Sequence, residues 1–167
     1  SPGDHGDAPA RPHGRPVTEI QMADLLREVR RRFDFCLLDA PAGLGRGFQL
    51  ATCAADRCVV VTTADASSLR DAQHTVMELD RFPAGALHLV VNRVRKKLLR
   101  QLHATIDDAI DKAGLPLLGV VPEDDALPLC MNRGVPILLA DGQSAATAYR
   151  NIAKRLQGER VPLLRVI

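Results

Sequence analysis

The sequence predicts a doubly wound α/β fold, a mainly parallel sheet with helices on both faces, and three observations predict it. Short, largely apolar runs recur at residues 35–38, 58–61, 87–91 and 117–121. They are apolar at successive positions instead of alternating, which marks strands covered on both faces, the condition of a parallel sheet. Between them lie stretches whose apolar residues recur at helical spacing, and the two patterns alternate, as βαβ units require.

The elements follow in order. Residues 1–16 carry Pro2, Pro9, Pro12, Pro16, Gly3, Gly6 and Gly14 with almost nothing apolar to bury, and read as a disordered tail. Thr18 and Gln21 have capping-box spacing, and Ile20, Leu25, Leu26 and Val29 share one face, so a helix starts there and ends near Arg32. A buried strand is expected over 35–39, closed by Asp39 and followed by the Gly-rich turn 41–47 and a helix running to Ala55. The strand at 58–62 comes next. Ser67 or Ser68 then starts a helix with Leu69, Ala72, Val76 and Leu79 on one face. A third strand covers 87–94. Leu99, Leu102, Ile106 and Ile110 line a helix stopped by Gly114, and a fourth strand covers 117–121, ended by Pro122. Ser144 caps a last helix that uses Ala148, Tyr149, Ile152 and Leu156, with Gly158 beyond it. One domain is expected over 17–160, with a short tail at 161–167.

Composition excludes several functions. Hydrophobic residues make up 46% and charged residues 25%, an ordinary globular balance, and the net charge of +2 gives no field that would gather nucleic acid. Aromatics are only 3%, too few for a platform on which single-stranded bases stack. The cysteines, Cys36, Cys53, Cys58 and Cys130, form no CxxC pair and have no His at zinc-ligand spacing; Cys36 and Cys58 read as small buried hydrophobes. No apolar stretch reaches the ~20 residues that span a bilayer, and the first residues are too polar for a signal peptide. The expectation is a reduced, cytoplasmic protein.

In open parallel sheets ligands bind beyond the carboxyl ends of the strands. Four ends qualify: Asp39, the Thr62 and Thr63 pair, Asn92, and Pro122 with Glu123. At the first, a carboxylate at a strand tip is followed by Pro41, Ala42 and Gly43. A carboxylate so placed can hold Mg²⁺, and a glycine N–H can approach a phosphate closely. The same acid also serves as a plain turn former. Asn92 could read a purine edge with its amide or could simply cap a loop. Ser67, Ser68, Arg70 and Asp71 read equally as a helix cap with its solvated first turn and as a partner surface. The basic run Arg93, Arg95, Lys96, Lys97 and Arg100 reads as a solvated helix entry. Glu123, Asp124 and Asp125 read as a loop after a strand.

Taken together, the stretches FDFCLLDAPAGLGRG, AADRCVVVTTADASSLRDA, LVVNR and LLGVVPEDDALPLCMNRGVPI resemble the MinD family of P-loop ATPases, in order and spacing, over roughly residues 19–160. Flagellar-number ATPases, pilus-assembly MinD-like proteins and ParA partition ATPases carry similar motifs, and the SSLRDA and PEDDALPLCMNRGVPI stretches favour MinD over ParA. The resemblance implies a P-loop NTPase fold that binds ATP and Mg²⁺. It makes Asp39 the Walker B acid and metal ligand, Pro41, Ala42 and Gly43 the switch turn, and Asn92, Pro122, Glu123 and Asp124 the adenine side. Ser67, Ser68, Arg70 and Asp71 fall near the family's dimer and partner surface. It further implies homodimerisation on ATP, MinC-like and MinE-like partners, and peripheral attachment to the inner face of the membrane where a C-terminal amphipathic helix is present. No nucleic acid is expected. Septum-site determination is the role implied first.

One family feature has no counterpart in these residues. No KGGxGKT-like loop occurs; Gly43, Gly45 and Gly47 lack the Lys-Ser/Thr ending and follow the Walker B run. Without such lysines, phosphate cradling and charge neutralisation are absent, so the chain by itself is expected not to hydrolyse ATP. The family's phosphate-loop strand lies between 35–39 and 58–62, so its absence leaves two rows of backbone groups to be closed together, left open or completed by another chain. A binding module without phosphate-loop chemistry and a regulator of flagella or pili are the alternative readings.

Overall fold

The computed structural model describes residues 16–83, 85–95, 114–140 and 144–163, and divides the chain into two compact units, Ser1–Ala54 and Ala55–Ile167.

In the first unit, α1 (Glu19–Arg30) begins with the predicted capping box: Thr18 Oγ1 accepts from the Gln21 N–H, and Gln21 Oε1 accepts from the Thr18 N–H. These bonds satisfy two backbone donors that a helix start otherwise leaves orphaned. Arg30 at the other end of α1 donates to the Ala54 carbonyl at 2.7 Å, just beyond α2 (Arg46–Thr52). The strand expected over 35–39 does not form. Those residues are extended but unpaired, with Phe35 66% and Leu37 89% exposed, and Cys36 is exposed with them. An apolar run becomes a strand only where a neighbour takes up its N–H and C=O groups, and among the described residues none does.

The second unit is built on a parallel sheet of β1 (Cys58–Thr63), β2 (Leu87–Val94) and β3 (Leu117–Pro122), in that spatial order. Buried β-branched and leucine residues fill it: Leu89 and Val91 are fully buried, and Val90 between them is buried as well, so β2 is covered on both faces. The link from β1 to β2 is α3 (Ala66–Met77), which packs on β1 through Leu69 and Ala72. Asp65, two or three residues earlier than the positions expected, is its cap, accepting from the Ser68 N–H at 3.0 Å. A short helix not anticipated from the sequence, α4 (Ala126–Asn132), follows β3. The last helix, α5 (Ser144–Leu156), lies on β3 with Ala145, Ala146 and Ala148 buried and Tyr149, Ile152 and Leu156 beside them. Gly119 is what lets it come so close, because a Cβ there would collide with Ile152 Cγ1. Arg155 stitches the end of α5 to the Leu118 and Val161 carbonyls.

β1 is less enclosed. Val60 and Thr62 are buried, whereas Val59 and Val61 are exposed, and its outer edge has no ladder partner among the described residues. The helix expected between Leu99 and Ile110, together with Lys96, Lys97 and Arg100, lies outside the described residues.

Candidate functional site

Parallel strands bring their carboxyl ends to one edge, and in the second unit that edge gathers Thr63, Asn92 and Glu123. Thr63 pairs with Asn92 across β1 and β2. Between β2 and β3 the register runs Val91 to Val120 and then Val94 to Pro122, so Asn92 and Arg93 together oppose Val121 alone. This is a bulge, the device by which a strand re-aims a side chain at its end. Arg93 takes up the extra length with φ +55°, the one non-glycine positive φ among the described residues. Asn92, half-buried, accepts the Arg93 N–H on its Oδ1 at 2.9 Å, and among the described residues no hydrogen bond engages its NH₂ group.

Glu123, the first residue past β3, closes the bulge from the other side. Its N–H donates to the Val94 carbonyl at 2.9 Å. Its carboxylate takes Arg95 Nε at 2.8 Å on one oxygen and lies 3.5 Å from Arg93 Nη2 on the other. The two arginines are therefore tied to the strand end, where sequence reasoning had seen a solvated helix entry. Opposite charge 28 and 30 positions apart carries no local signal; it becomes legible only once β2 and β3 are known to be neighbours in register.

Asp124 does different work. Oδ1 accepts from the Ala126 N–H at the start of α4, and Oδ2 from the Ala145 N–H and the Ser144 hydroxyl at the start of α5. Burial pushes its carboxyl up, but the N–H groups of Ala145 and Ala126 and the Ser144 hydroxyl outweigh that and hold it below the ordinary carboxylate value. Its side chain is thus occupied by two helix starts, and what it offers a ligand is backbone. Asp125, exposed, only precedes α4 and makes no side-chain cap.

At the end of β1 the Thr63 hydroxyl reaches both Asp65 Oδ2, at 2.5 Å, and Ser68 Oγ, at 2.8 Å, and Ser68 donates to Asp65. The Thr63 hydroxyl, then the Ser68 N–H and hydroxyl, hold the Asp65 carboxyl well below the usual carboxylate range. Ser68 is therefore committed to the start of α3. Ser67, Arg70 and Asp71 are exposed on its first turns, where a partner could meet them.

In the first unit Asp39 is exposed, and no ion pair or hydrogen bond ties it up among the described residues. The turn after it is shaped by two glycines. Gly43 has φ +86° with open space where a Cβ would stand, so its backbone is accessible to a ligand. Gly47 lies under the Pro41 ring, whose Cγ a Cβ would strike, which fixes Pro41 over the start of α2. Ala42 is exposed between them. Among the described residues no group of three His, Cys, Asp or Glu side chains could cage a metal. A single exposed carboxylate beside an open glycine turn fits Mg²⁺, which binds through one or two carboxylates plus nucleotide phosphates and not in an all-protein cage.

Comparison with known proteins accords with this frame. Residues 9–156 match the family model described as cellulose biosynthesis protein BcsQ. The septum site-determining protein MinD of Synechocystis is 33% identical over 151 residues, 89% of this chain and 56% of that protein. MinD of Bacillus subtilis is 37% identical over 149 residues, again 56% of its length. The solved Aquifex aeolicus MinD cell division protein superposes with a TM-score of 0.82 at 29% identity, over 89% of this chain and 64% of that one. The chain thus spans a little over half the length of the curated relatives it matches. From the family model, the fold and these identities, the chain belongs to the BcsQ/MinD family.

Proposed function

We propose that the protein carrying this chain is an ATP-binding, ATP-hydrolysing spatial regulator of the MinD type, acting in septum-site determination. The observation that carries the reading is the strand edge at Asn92 and Glu123, a bulge at which the Asn92 amide keeps its NH₂ group unengaged among the described residues, in a chain 33–37% identical to septum site-determining MinD proteins. Asn92 reads the adenine edge, and Pro122, Glu123 and the Asp124 backbone lie along it. Asp39 holds Mg²⁺, with Pro41, Ala42 and Gly43 as the turn that follows the terminal phosphate. Bound Mg²⁺ neutralises charge on the β- and γ-phosphates; the chain's own part is to orient the metal and the base. The lysines that cradle phosphate are not among these 167 residues.

The exposed first turns of α3, with Ser67, Arg70 and Asp71, are the surface proposed for dimer or partner contact, and Ser68 supports them from the cap. The Aquifex aeolicus MinC:MinD complex, whose MinD superposes on this chain with a TM-score of 0.81 at 29% identity, supports a MinC-like partner. Dimerisation on ATP and a MinE-like stimulator complete the cycle. Among the described residues no helix is long and apolar enough to cross a membrane; peripheral attachment is proposed where a C-terminal amphipathic helix is present.

The test is Asp39→Asn in a polypeptide that joins this chain to a Gly-Lys-rich phosphate loop. Loss of one charged metal ligand is expected to lower Mg²⁺-dependent ATP hydrolysis by about 100-fold or more while leaving the melting temperature unchanged. Hydrolysis at the parent rate would remove Asp39 from the site. A second reading rests on the description of the matching family model: the same ATPase chemistry could position cellulose-producing machinery. Deletion of the gene separates the two, giving misplaced septa in the first case and lost polysaccharide in the second.

A further inference from the structure

The bulge at Asn92 is an unstable arrangement that something must hold. A non-glycine residue in the left-handed region is strained, because its Cβ crowds the carbonyl oxygen that follows. Arg93 nonetheless adopts φ +55°, and an arginine has no side-chain acceptor with which to bond its own backbone, as Asn or Asp could. Two contacts oppose the strain. Asn92 Oδ1 receives the Arg93 N–H, and Glu123 receives Arg93 Nη2 and Arg95 Nε from outside while its own N–H is bonded to the Val94 carbonyl. The Glu123 side chain therefore ties the residues on either side of Val94, while the backbone bond to the Val94 carbonyl does not depend on that side chain. Were that grip released, Arg93 would relax toward negative φ. The bulge would then open, and the Arg93 N–H would swing away from Asn92 Oδ1.

We infer that Glu123 is a positioning residue for base recognition: through Arg93 and Arg95 it holds the strained bulge that aims the Asn92 NH₂ group at a purine. The inference rests on the adenine-side reading of Asn92 and adds to it a residue that need not touch the base. It also gives the acid an assignment distinct from its neighbour's, since Asp124 holds helix starts and Glu123 holds the reader. The specificity follows from the geometry. With Oδ1 engaged by the Arg93 N–H, Asn92 has its NH₂ donors left to offer, so its natural partner is a ring-nitrogen acceptor on the base.

The test uses AMP, which presents the base with a single phosphate, titrated at millimolar concentration into the 167-residue chain and followed by NMR. In the parent chain AMP is expected to shift the Asn92 side-chain amide signals, identified by their loss in Asn92→Ala. E123Q is expected to weaken AMP binding several-fold and to move the Asn92 amide signals in the free chain, with the α5 signals unchanged. The double variant N92A/E123Q is expected to bind no worse than N92A, since both remove one device. Arg93→Gly supplies the sharpest readout. Glycine takes φ +55° without strain, so R93G/E123Q should recover parental AMP affinity, which a merely structural role for Glu123 does not predict. E123Q binding like the parent, additive losses in the double variant, or no rescue by R93G overturns the positioning role while leaving the base site in place. Binding of AMP that N92A leaves unaltered, or no binding at all by the parent chain, removes the adenine-side reading itself and this inference with it.

Discussion

At the scale of single residues, adjacent acids in this chain have separated tasks, and burial and hydrogen bonding decide which has which. Asp124 has three donors, from two helix starts, converging on it. Removing it by D124A is expected to cost about 1–3 kcal/mol, the range for a lost helix cap with a second start left unsatisfied, read as a lower melting temperature. Because its folded carboxyl lies below the ordinary value, that stabilisation is present above the unfolded value of about 3.9 and is lost as pH falls through the lower folded value. Melting temperatures of the parent and D124N should therefore differ at neutral pH and converge as the solution is acidified below about pH 4. A gap that stays constant into acid would show that the carboxylate charge is not what matters there. Sequence reasoning named Asp124 as a site residue, but it could not foresee the contact with Ala145, 21 positions away. Nor could it place the cap of α3 correctly, because Asp65, Ser67 and Ser68 are all good capping types, and only the Thr63 hydroxyl selects Asp65.

At the scale of elements, what was legible is what local pattern controls. The capping box at Thr18 and Gln21 and the strand over 87–94 stand as read, and 58–62 and 117–121 fall one residue short of the observed strands. The run at 35–39 has the same apolar character, yet it is unpaired, since a strand is a property of two segments and its neighbour cannot be read from one. α4 was missed for the opposite reason: ALPLCMN, with Pro128 inside it, has no helical period to detect, and the helix forms where Asp124 meets its first N–H. The closest packing lies between β3 and α5, where Gly119 faces Ile152. G119A should destabilise the second unit by about 1–3 kcal/mol, the usual cost of forcing a methyl group into a filled core, and the added methyl should cost less in an I152A background, where the Cγ1 it would meet is gone. An unchanged melting temperature for G119A would mean that α5 is free to move away from the sheet.

For the whole molecule, the fold class and the family were both legible, because three parallel strands and the motif at Asp39 occur in the order that the family requires. Two candidate sites lie in different compact units, Asp39 and its turn in 1–54, Asn92 and Glu123 in 55–167. The lysine-bearing phosphate loop implied by the resemblance is found in neither. Its relatives extend well past the matched region, with 56% of their length covered. The account therefore assigns these residues the metal ligand and the base reader, and leaves phosphate binding, the larger share of nucleotide affinity, to a loop outside them. Isothermal titration of Mg-ATP into the 167-residue chain, and into a polypeptide that adds a KGGxGKT-type loop, tests that division most directly. Saturable binding in the micromolar range is predicted for the longer polypeptide alone; micromolar binding by the 167 residues themselves would contradict it.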